Sequence, residues 1–518
     1  MFKSIIKVTL RKIRKDIGYS LIIVLGLAIG IVSCLYLLLY VFDDLSYDQY
    51  HKNKDRIVRV ISHIKESDDE FTWPTTQRPL GPQAREDYPE IEEFVRIISF
   101  RDGLFIYGNV RQYDENVFYT DSSFFTVFTY DLLKGDPNTA LTRPNTMVVT
   151  KSFADKYFAD EDPYGKTLET ASGQSLEITG IMEDVPLNSH MTFSALVAKP
   201  TESWENHPLL WGSFTLRTYL LLAEGTDILI LQEKMKEMYD KYMSTQLREM
   251  NWDVEYILEP LTDIYLKSDV ESDISGEIKY VYIFSIIAFF MLLIASINYM
   301  NLATARSIQR SREVGLRKIA GSQRWPIFLQ FLCESVILTL IALIISIVII
   351  IILFPSYNQI TGKLFDINHL FNSKVILTII VIIVFVGIGG GSYPAFYLSR
   401  FSLVSTLKQK TGDVRSSFNV RKILVVLQFA ISCTLIINTW LIYKQVNYLI
   451  NKDPGFDPQN VVIVGLEDRN MIRQYPVYRE MLIKNPDVIN VSSANNVIGN
   501  SALKYIMEVE TPEGMQSK

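Results

Sequence analysis

Five apolar runs constrain this chain more than any other feature of its sequence. They occupy 20–42, 281–299, 331–354, 375–393 and 423–443, and each holds 19–24 residues with few or no charges. About 20 apolar residues wound as a helix cross the hydrocarbon of a bilayer. Lipid offers no partner to an open backbone group, so helices are the form such runs take there. Core helices of water-soluble proteins are rarely so long and so uniformly apolar. The fold class that follows is a multispanning α-helical membrane protein.

The formal net charge of −6 conceals a segregation along the chain. Before the first run stand Lys3, Lys7, Arg11, Lys12, Arg14 and Lys15, opposed by Asp16. Between the second and third runs lie Arg306, Arg310, Arg312, Arg317, Lys318 and Arg324 against Glu313. The stretch 398–422 carries Arg400, Lys408, Lys410, Arg415, Arg421 and Lys422 against Asp413. Loops rich in Lys and Arg stay in the cytoplasm, so these three segments are expected inside. Residues 43–279, at about −20 from their charged side chains, and the short loop 355–374 are then outside. The predicted order is a cytoplasmic amphipathic helix (1–19), a span (20–42), an outer domain (43–279), a span (280–299), a cytoplasmic coupling segment (300–330), a span (331–354), an outer loop (355–374), a span (375–396), a cytoplasmic linker (397–422) and a fifth span (423–443). In the first segment Phe2, Ile5, Ile6, Leu10 and Ile13 share a helical face suited to lying on lipid. Ile31-Val32-Ser33-Cys34 loosely resembles a lipoprotein cleavage box, but the apolar run continues past Cys34 and is too long for a signal core, so a stable anchor is expected.

The outer segment reads as a large α+β domain. Residues 146–158 run from a strand into an amphipathic helix, 174–183 alternate as a strand, and 228–243 are helical. Pro163-Tyr164-Gly165 and Pro186-Leu187-Asn188 mark turns. Cys34, Cys333 and Cys433 all fall in apolar runs, which leaves no disulfide framework outside. His51, His63, His190, His207 and His369 lack ligand spacing, so no metal is expected. No catalytic constellation is legible, and the chain contains no G-x-x-x-x-G-K-[ST] phosphate loop. Near 420 the chain repeats the plan of its start: basic stretch, apolar run, polar outer segment. Residues 444–518 are therefore read as the beginning of a second outer domain, incomplete at 518.

The basic segment between the second and third runs carries the functional reading. On a helix Arg310, Glu313 and Arg317 are neighbours at i+3 and i+4, so ion pairs order its surface. Val314 and Leu316 are placed to enter an apolar groove on a soluble partner, with Arg312 and Lys318 finding its acids, and Gly321 is placed to end the helix. Within the spans Gly26 and Gly30, and Gly387 and Gly391, form two GxxxG pairs that favour close helix approach. Gly389, Gly390, Gly391 and Pro394 weaken the fourth helix, where a bend is expected.

These residues, taken together, resemble the MacB/FtsX-type permeases of ATP-binding-cassette systems, in the two-unit form common in Bacteroidetes. RSREVGLRKIAGSQRWPIFLQFLCES (310–335) is similar to the family's pattern of basic residues, Glu, apolar, Gly315, apolar, Arg, a later Gly and a Gln-x-x-x-Glu start to the next span. FFTVFTYDLLKGDP (124–137), DPYGK (162–166) and GIMEDVPLNSHMTF (180–193) resemble its MacB-like periplasmic core domain, and YPAFYLSRF (393–401) its exit from the fourth span. The resemblance implies a permease of the bacterial inner membrane with a cytoplasmic N-terminus and a periplasmic large domain. It would bind no cofactor itself. It would dock a separate cytoplasmic ATPase dimer, which uses ATP and Mg, through a coupling helix, and would transmit the work to the periplasm as motion. A homodimer or pseudo-dimer of permease units, membrane lipids, and a periplasmic adaptor with an outer-membrane channel are the implied partners; nucleic acid is not. Alternatives are an FtsX-like regulator of a cell-wall hydrolase or sensor, Lol-type lipoprotein release, and a membrane-anchored binding protein without ATP coupling.

Overall fold

The computed structural model describes residues 11, 16–66, 69–100, 102–159, 161–199, 210–247, 252–270, 274–319, 323–400, 414–453, 460–464, 469–494, 508–511 and 514–517. Most of the expected amphipathic helix at 1–19 lies outside them. Among the described residues five helices are long and apolar enough to cross a membrane, in the places of the five apolar runs.

The first, α1 (Ile17–Asp44), is apolar almost all round and lies at the centre of the helical layer. It leads into a domain built on one sheet of fourteen strands. In chain order these are β1 (Ile57–Glu66), β2 (Asp69–Trp73), β3 (Thr76–Gln77), β4 (Ile91–Ser99), β5 (Leu104–Tyr107), β6 (Val110–Tyr113), β7 (Val117–Thr120), β8 (Leu132–Lys134), β9 (Thr146–Thr150), β10 (Thr167–Thr170), β11 (Ser175–Met182), β12 (Ala195–Ala198), β13 (Phe214–Leu222) and β14 (Trp252–Pro260). The spatial order is β14-β1-β13-β4-β7-β12-β9-β11-β10-β5-β6, with β2 on β1, β3 on β13 and β8 on β11. Helices α2 (Leu80–Asp87), α3 (Lys151–Phe158), α4 (Ile228–Met235) and α5 (Ile264–Lys267) pack against it.

Local sequence explains these elements. All five residues of β9 are buried, as in a strand covered on both faces, and it pairs in parallel with β11. Between them Thr150 caps α3 by accepting the amide of Phe153, and Phe153, Ala154, Tyr157 and Phe158 form the helix's buried face. In β11 Leu176, Ile178, Gly180 and Met182 point inward in strict alternation, with a register shift at Gly180. Apolar side chains gather into three clusters, around Leu220, Met235 and Trp252, around Phe124, Phe128 and Tyr219, and around Phe105, Phe153 and Val197. Two buried arginines are matched by acids. Arg96 forks onto Asp121 (Nε–Oδ2 2.9 Å, Nη2–Oδ1 2.8 Å), and Arg59 reaches Glu259 at 2.6 Å.

The chain returns to the helical layer through α6 (Ile278–Ile319), α7 (Arg324–Thr361) and α8 (Ser373–Ile382). From α8 it passes through a π-helical stretch (Ile383–Gly390) into α9 (Gly391–Arg400), where a bend was expected. The fifth long helix, α10 (Val414–Asn451), leaves Ile423, Phe429, Ile436 and Trp440 exposed. Beyond it the described residues form two short helices, Arg469–Arg473 and Tyr475–Ile483, and a hairpin of Glu508–Thr511 with Gly514–Ser517.

Candidate functional site: a lever helix and the joint above it

Helix α6 joins the two regions that the sequence singles out. Its 42 residues span about 63 Å at 1.5 Å per residue, twice the roughly 30 Å of a hydrocarbon core. One end follows directly on the base of the sheet domain, where Gly276 packs against the ring of Tyr265. The other end carries the basic segment. That segment is thus no separate helix under the membrane but the uninterrupted continuation of the second span. Arg310, Arg312, Glu313, Gly315, Leu316, Arg317 and Lys318 all have helical backbone. The expected ion pairs among Arg310, Glu313 and Arg317 involve side chains outside the described set, and Gly321 lies outside the described residues.

Val314 departs from expectation. It is 1 % exposed and packs on Ile327 and Phe331 of α7. The sequence offered it to a partner's groove; the fold uses it to hold the end of α6 against the start of α7. An apolar residue on a polar segment reads equally well as a docking knob or an internal contact, and only the neighbouring helix decides between them.

The glycines divide by what a side chain would meet. A Cβ on Gly30 would overlap that of Ala295, so α1 and α6 approach to backbone distance there. A Cβ on Gly26 would meet only Asn298 Nδ2, at an ordinary 3.6 Å, so close approach does not depend on that residue. On the fourth span a Cβ at Gly391 would overlap Ser335, and one at Gly387 would come within 3.3 Å of Val336 Cγ2. Gly390, read from sequence only as a helix-weakening residue, also packs closely: its Cβ would lie 2.8 Å from Ser296 Oγ of α6.

Above α1 the chain enters a polar joint that sequence spacing did not reveal. Asp48 adopts a left-handed backbone (φ 57°), unusual for a residue with a side chain. The conformation is held from both sides: its amide donates to Asn188 O (2.9 Å), and its carboxylate accepts the amide of His190 (3.2 Å). His190 Nδ1 lies 2.9 Å from Asp48 Oδ1, and its Nε2 lies 2.9 Å from the hydroxyl of Tyr219 in β13. His51 accepts the amide of Thr129 at Nδ1 (3.0 Å), which leaves the proton on Nε2, 3.9 Å from Asp48. Asn188 Nδ2 donates to Ser46 O (3.0 Å). Burial is the largest influence on His51 and pushes its pKa down to about 4, against the pull of Asp48. These contacts tie the seven residues after α1 to the sheet domain. Asp48 and His190 are 142 positions apart, so no local pattern joins them; the one hint is that Asn188 and His190 sit in the 180–193 segment singled out for its family likeness. Among the described residues no cluster of His, Cys, Asp and Glu has the geometry of a metal site.

Just below, Lys363 in the loop after α7 meets two carboxylates at the end of α1. Its Nζ is 2.6 Å from Asp43 Oδ2 and also contacts Asp44 Oδ1, and it sits 4.0 Å from the centre of the Tyr40 ring. Tyr265 of α5 donates its hydroxyl to Asp44 (3.2 Å) and stacks on Tyr47 (3.4 Å between ring centres). Burial alone would lower the proton affinity of Lys363, but Asp43 and Asp44 outweigh it and hold the ammonium above its ordinary pKa.

Five membrane-length helices carrying an α+β domain on a polar joint define a multispanning membrane protein with one large extramembrane domain. Residues 20–238 match the MacB-like periplasmic core domain and residues 285–403 the FtsX-like permease C-terminal domain. The chain thus joins a MacB-like periplasmic core domain, which holds its sheet, to an FtsX-like permease domain, and this pair of domains supports a MacB/FtsX-type ABC permease. It is similar to the macrolide export ATP-binding/permease protein MacB of Neisseria gonorrhoeae (24 % identity over 206 residues, 40 % of this chain and 30 % of that one). It is likewise similar to MacB of Mannheimia succiniciproducens (22 % over 322 residues, 60 % of this chain and 46 % of that one). The chain thus spans less than half the length of these curated relatives. Among solved structures it resembles a domain of a putative permease from Porphyromonas gingivalis (22 % identity, 44 % of this chain and 94 % of that one, TM-score 0.37). It also resembles the periplasmic region of MacB from Actinobacillus actinomycetemcomitans (15 % identity, 39 % of this chain and 89 % of that one, TM-score 0.28).

Proposed function

We propose that this chain is the membrane subunit of an export system, coupling ATP hydrolysis by a separate cytoplasmic ATPase to motion of the periplasmic domain. The observation that carries the reading is the continuity of α6: a single helix of 42 residues runs from the basic segment to the base of the sheet domain. A helix transmits displacement along its axis because every turn is hydrogen-bonded to the next. Force applied at Arg310–Ile319 therefore arrives at Ile278 without an intervening hinge. In this reading Arg310, Arg312, Glu313, Gly315, Leu316, Arg317 and Lys318 dock the ATPase, while Val314 holds their helix against the start of α7. On the same reading ATP and Mg are bound by the partner. The export activity in the relatives' names supports efflux as the form of work, and a dimeric ATPase beneath paired permease units supplies the symmetry.

The test is a pull-down of the cognate ATPase from detergent-solubilised membranes. Arg317→Glu reverses one docking charge and is expected to weaken capture about tenfold, on the order of 1.4 kcal/mol. Glu313→Pro breaks the helix within its last turns and is expected to abolish capture while leaving the thermal unfolding of the sheet domain unchanged. Capture equal to wild type in both variants refutes the docking role.

A further inference from the structure

Helices α1 and α7 are pinned together at successive levels. Ser346 Oγ donates to Ala28 O (3.2 Å), Tyr36 donates to Ile350 O (2.8 Å), and Tyr357 donates to Tyr36 O (2.9 Å). The ion pairs of Lys363 with Asp43 and Asp44 form the next level, and this level reaches further, because Asp44 also accepts the hydroxyl of Tyr265 at the base of the sheet domain. The loop that delivers Lys363 is shaped for it. Gly362 ends α7 in a left-handed conformation (φ 68°), which turns the next side chain back over the helix end. Asn358 then closes the turn in both directions, donating to Phe365 O (2.9 Å) and accepting the Phe365 amide (3.0 Å). The charged groups are screened from water: the side chains of Lys363, Asp43 and Asp44 are 14 %, 23 % and 4 % exposed.

We propose that Lys363 is the bolt of a charge latch. Closed, it fastens the loop after α7 to the end of α1 and, through Asp44 and Tyr265, to the base of the sheet domain. Displacement of α7 then reaches that domain by a route parallel to α6. One ammonium shared by two carboxylates suits a closure that opens and re-forms, since losing one acid leaves the other engaged. The inference rests on the lever reading for what the motion is used for, but the latch itself does not depend on an ATPase.

Hydrogen exchange on the full chain in lipid nanodiscs, without ATPase, tests it. Lys363→Met is expected to speed amide exchange at least tenfold in peptides covering 355–372 and 261–278, with peptides from β9 and β11 unchanged. Asp43→Asn, which keeps the Asp44 contact, is expected to give a smaller change in the same peptides. Lys363→Asp combined with Asp44→Lys is expected to recover most of the protection that Lys363→Asp alone removes. Wild-type exchange in both regions of Lys363→Met, or no recovery in the charge-exchanged pair, overturns the latch. If Arg317→Glu and Glu313→Pro leave ATPase capture intact while Lys363→Met loosens both regions, the lever reading fails and the latch stands.

Discussion

His51 shows how one side chain makes the joint sensitive to pH. The groups facing it are Asp48, His190 and the rings of Tyr50, Phe128 and Tyr130. Its folded pKa is depressed to about 4 from 6.5, mainly by burial. The folded state therefore favours neutral imidazole, and protons favour the unfolded state. The stability this group supports is intact above pH 6.5 and is lost as pH falls toward 4. At about 1.36 kcal/mol per pKa unit the loss is at most about 3 kcal/mol. Thermal unfolding of the full chain between pH 7.5 and 4 is expected to show a falling midpoint, and His51→Gln to flatten that fall. An unchanged slope in His51→Gln would place the acid sensitivity elsewhere. Nothing in the sequence announced this group, because its partners come from 129 and 190 and its burial is a product of tertiary packing.

At the level of elements the sequence was more informative, and its failures have physical reasons. Five apolar runs became five helices because length and uniform hydropathy leave lipid-exposed backbone few alternatives. The strand-to-helix passage at 146–158 and the alternation at 174–183 were legible because each is a local periodicity ending in a cap or a turn. The length of the helix that carries the second span was not. Charge marks where hydrocarbon ends, but helix propensity decides where the helix ends, and residues from Asn301 to Ile319 favour helix well past the membrane. The GxxxG pairs identified small residues but not their partners. Of the first pair it is Gly30 that packs closely, its Cβ position overlapping that of Ala295, so Gly30→Leu is expected to overpack α1 against α6 and cost about 1–3 kcal/mol. Gly26→Ala, facing Asn298 at ordinary distance, is expected to change stability by less than about 0.5 kcal/mol. Thermal unfolding in matched detergent separates the two, and Ala295→Gly should partly rescue Gly30→Leu. Equal behaviour of the two variants would mean that α1 and α6 do not meet at Gly30.

For the whole molecule, the lever, the joint and the latch have meaning only if the sheet domain and the basic end of α6 lie on opposite sides of the bilayer. The charge pattern predicts that arrangement, because the three segments rich in Lys and Arg are expected inside, and the roughly 63 Å reach of α6 by helical rise is enough to carry its ends to opposite faces of a bilayer. Exposed positions on each side allow a direct measurement. Leu229 on α4 is 75 % exposed and Trp325 at the start of α7 is 64 % exposed. In a background with Cys34, Cys333 and Cys433 replaced by alanine, Leu229→Cys should react with a membrane-impermeant maleimide once the outer membrane is opened. Trp325→Cys should react only after the inner membrane is permeabilised. Six basic residues against Glu313 predict an inside location for the segment around Trp325, and a single substitution to cysteine leaves that bias in place, so the labelling reports native topology. Labelling of Trp325→Cys from the periplasmic side would put the basic end of α6 where no cytoplasmic ATPase can reach it, and the lever would have nothing to drive it.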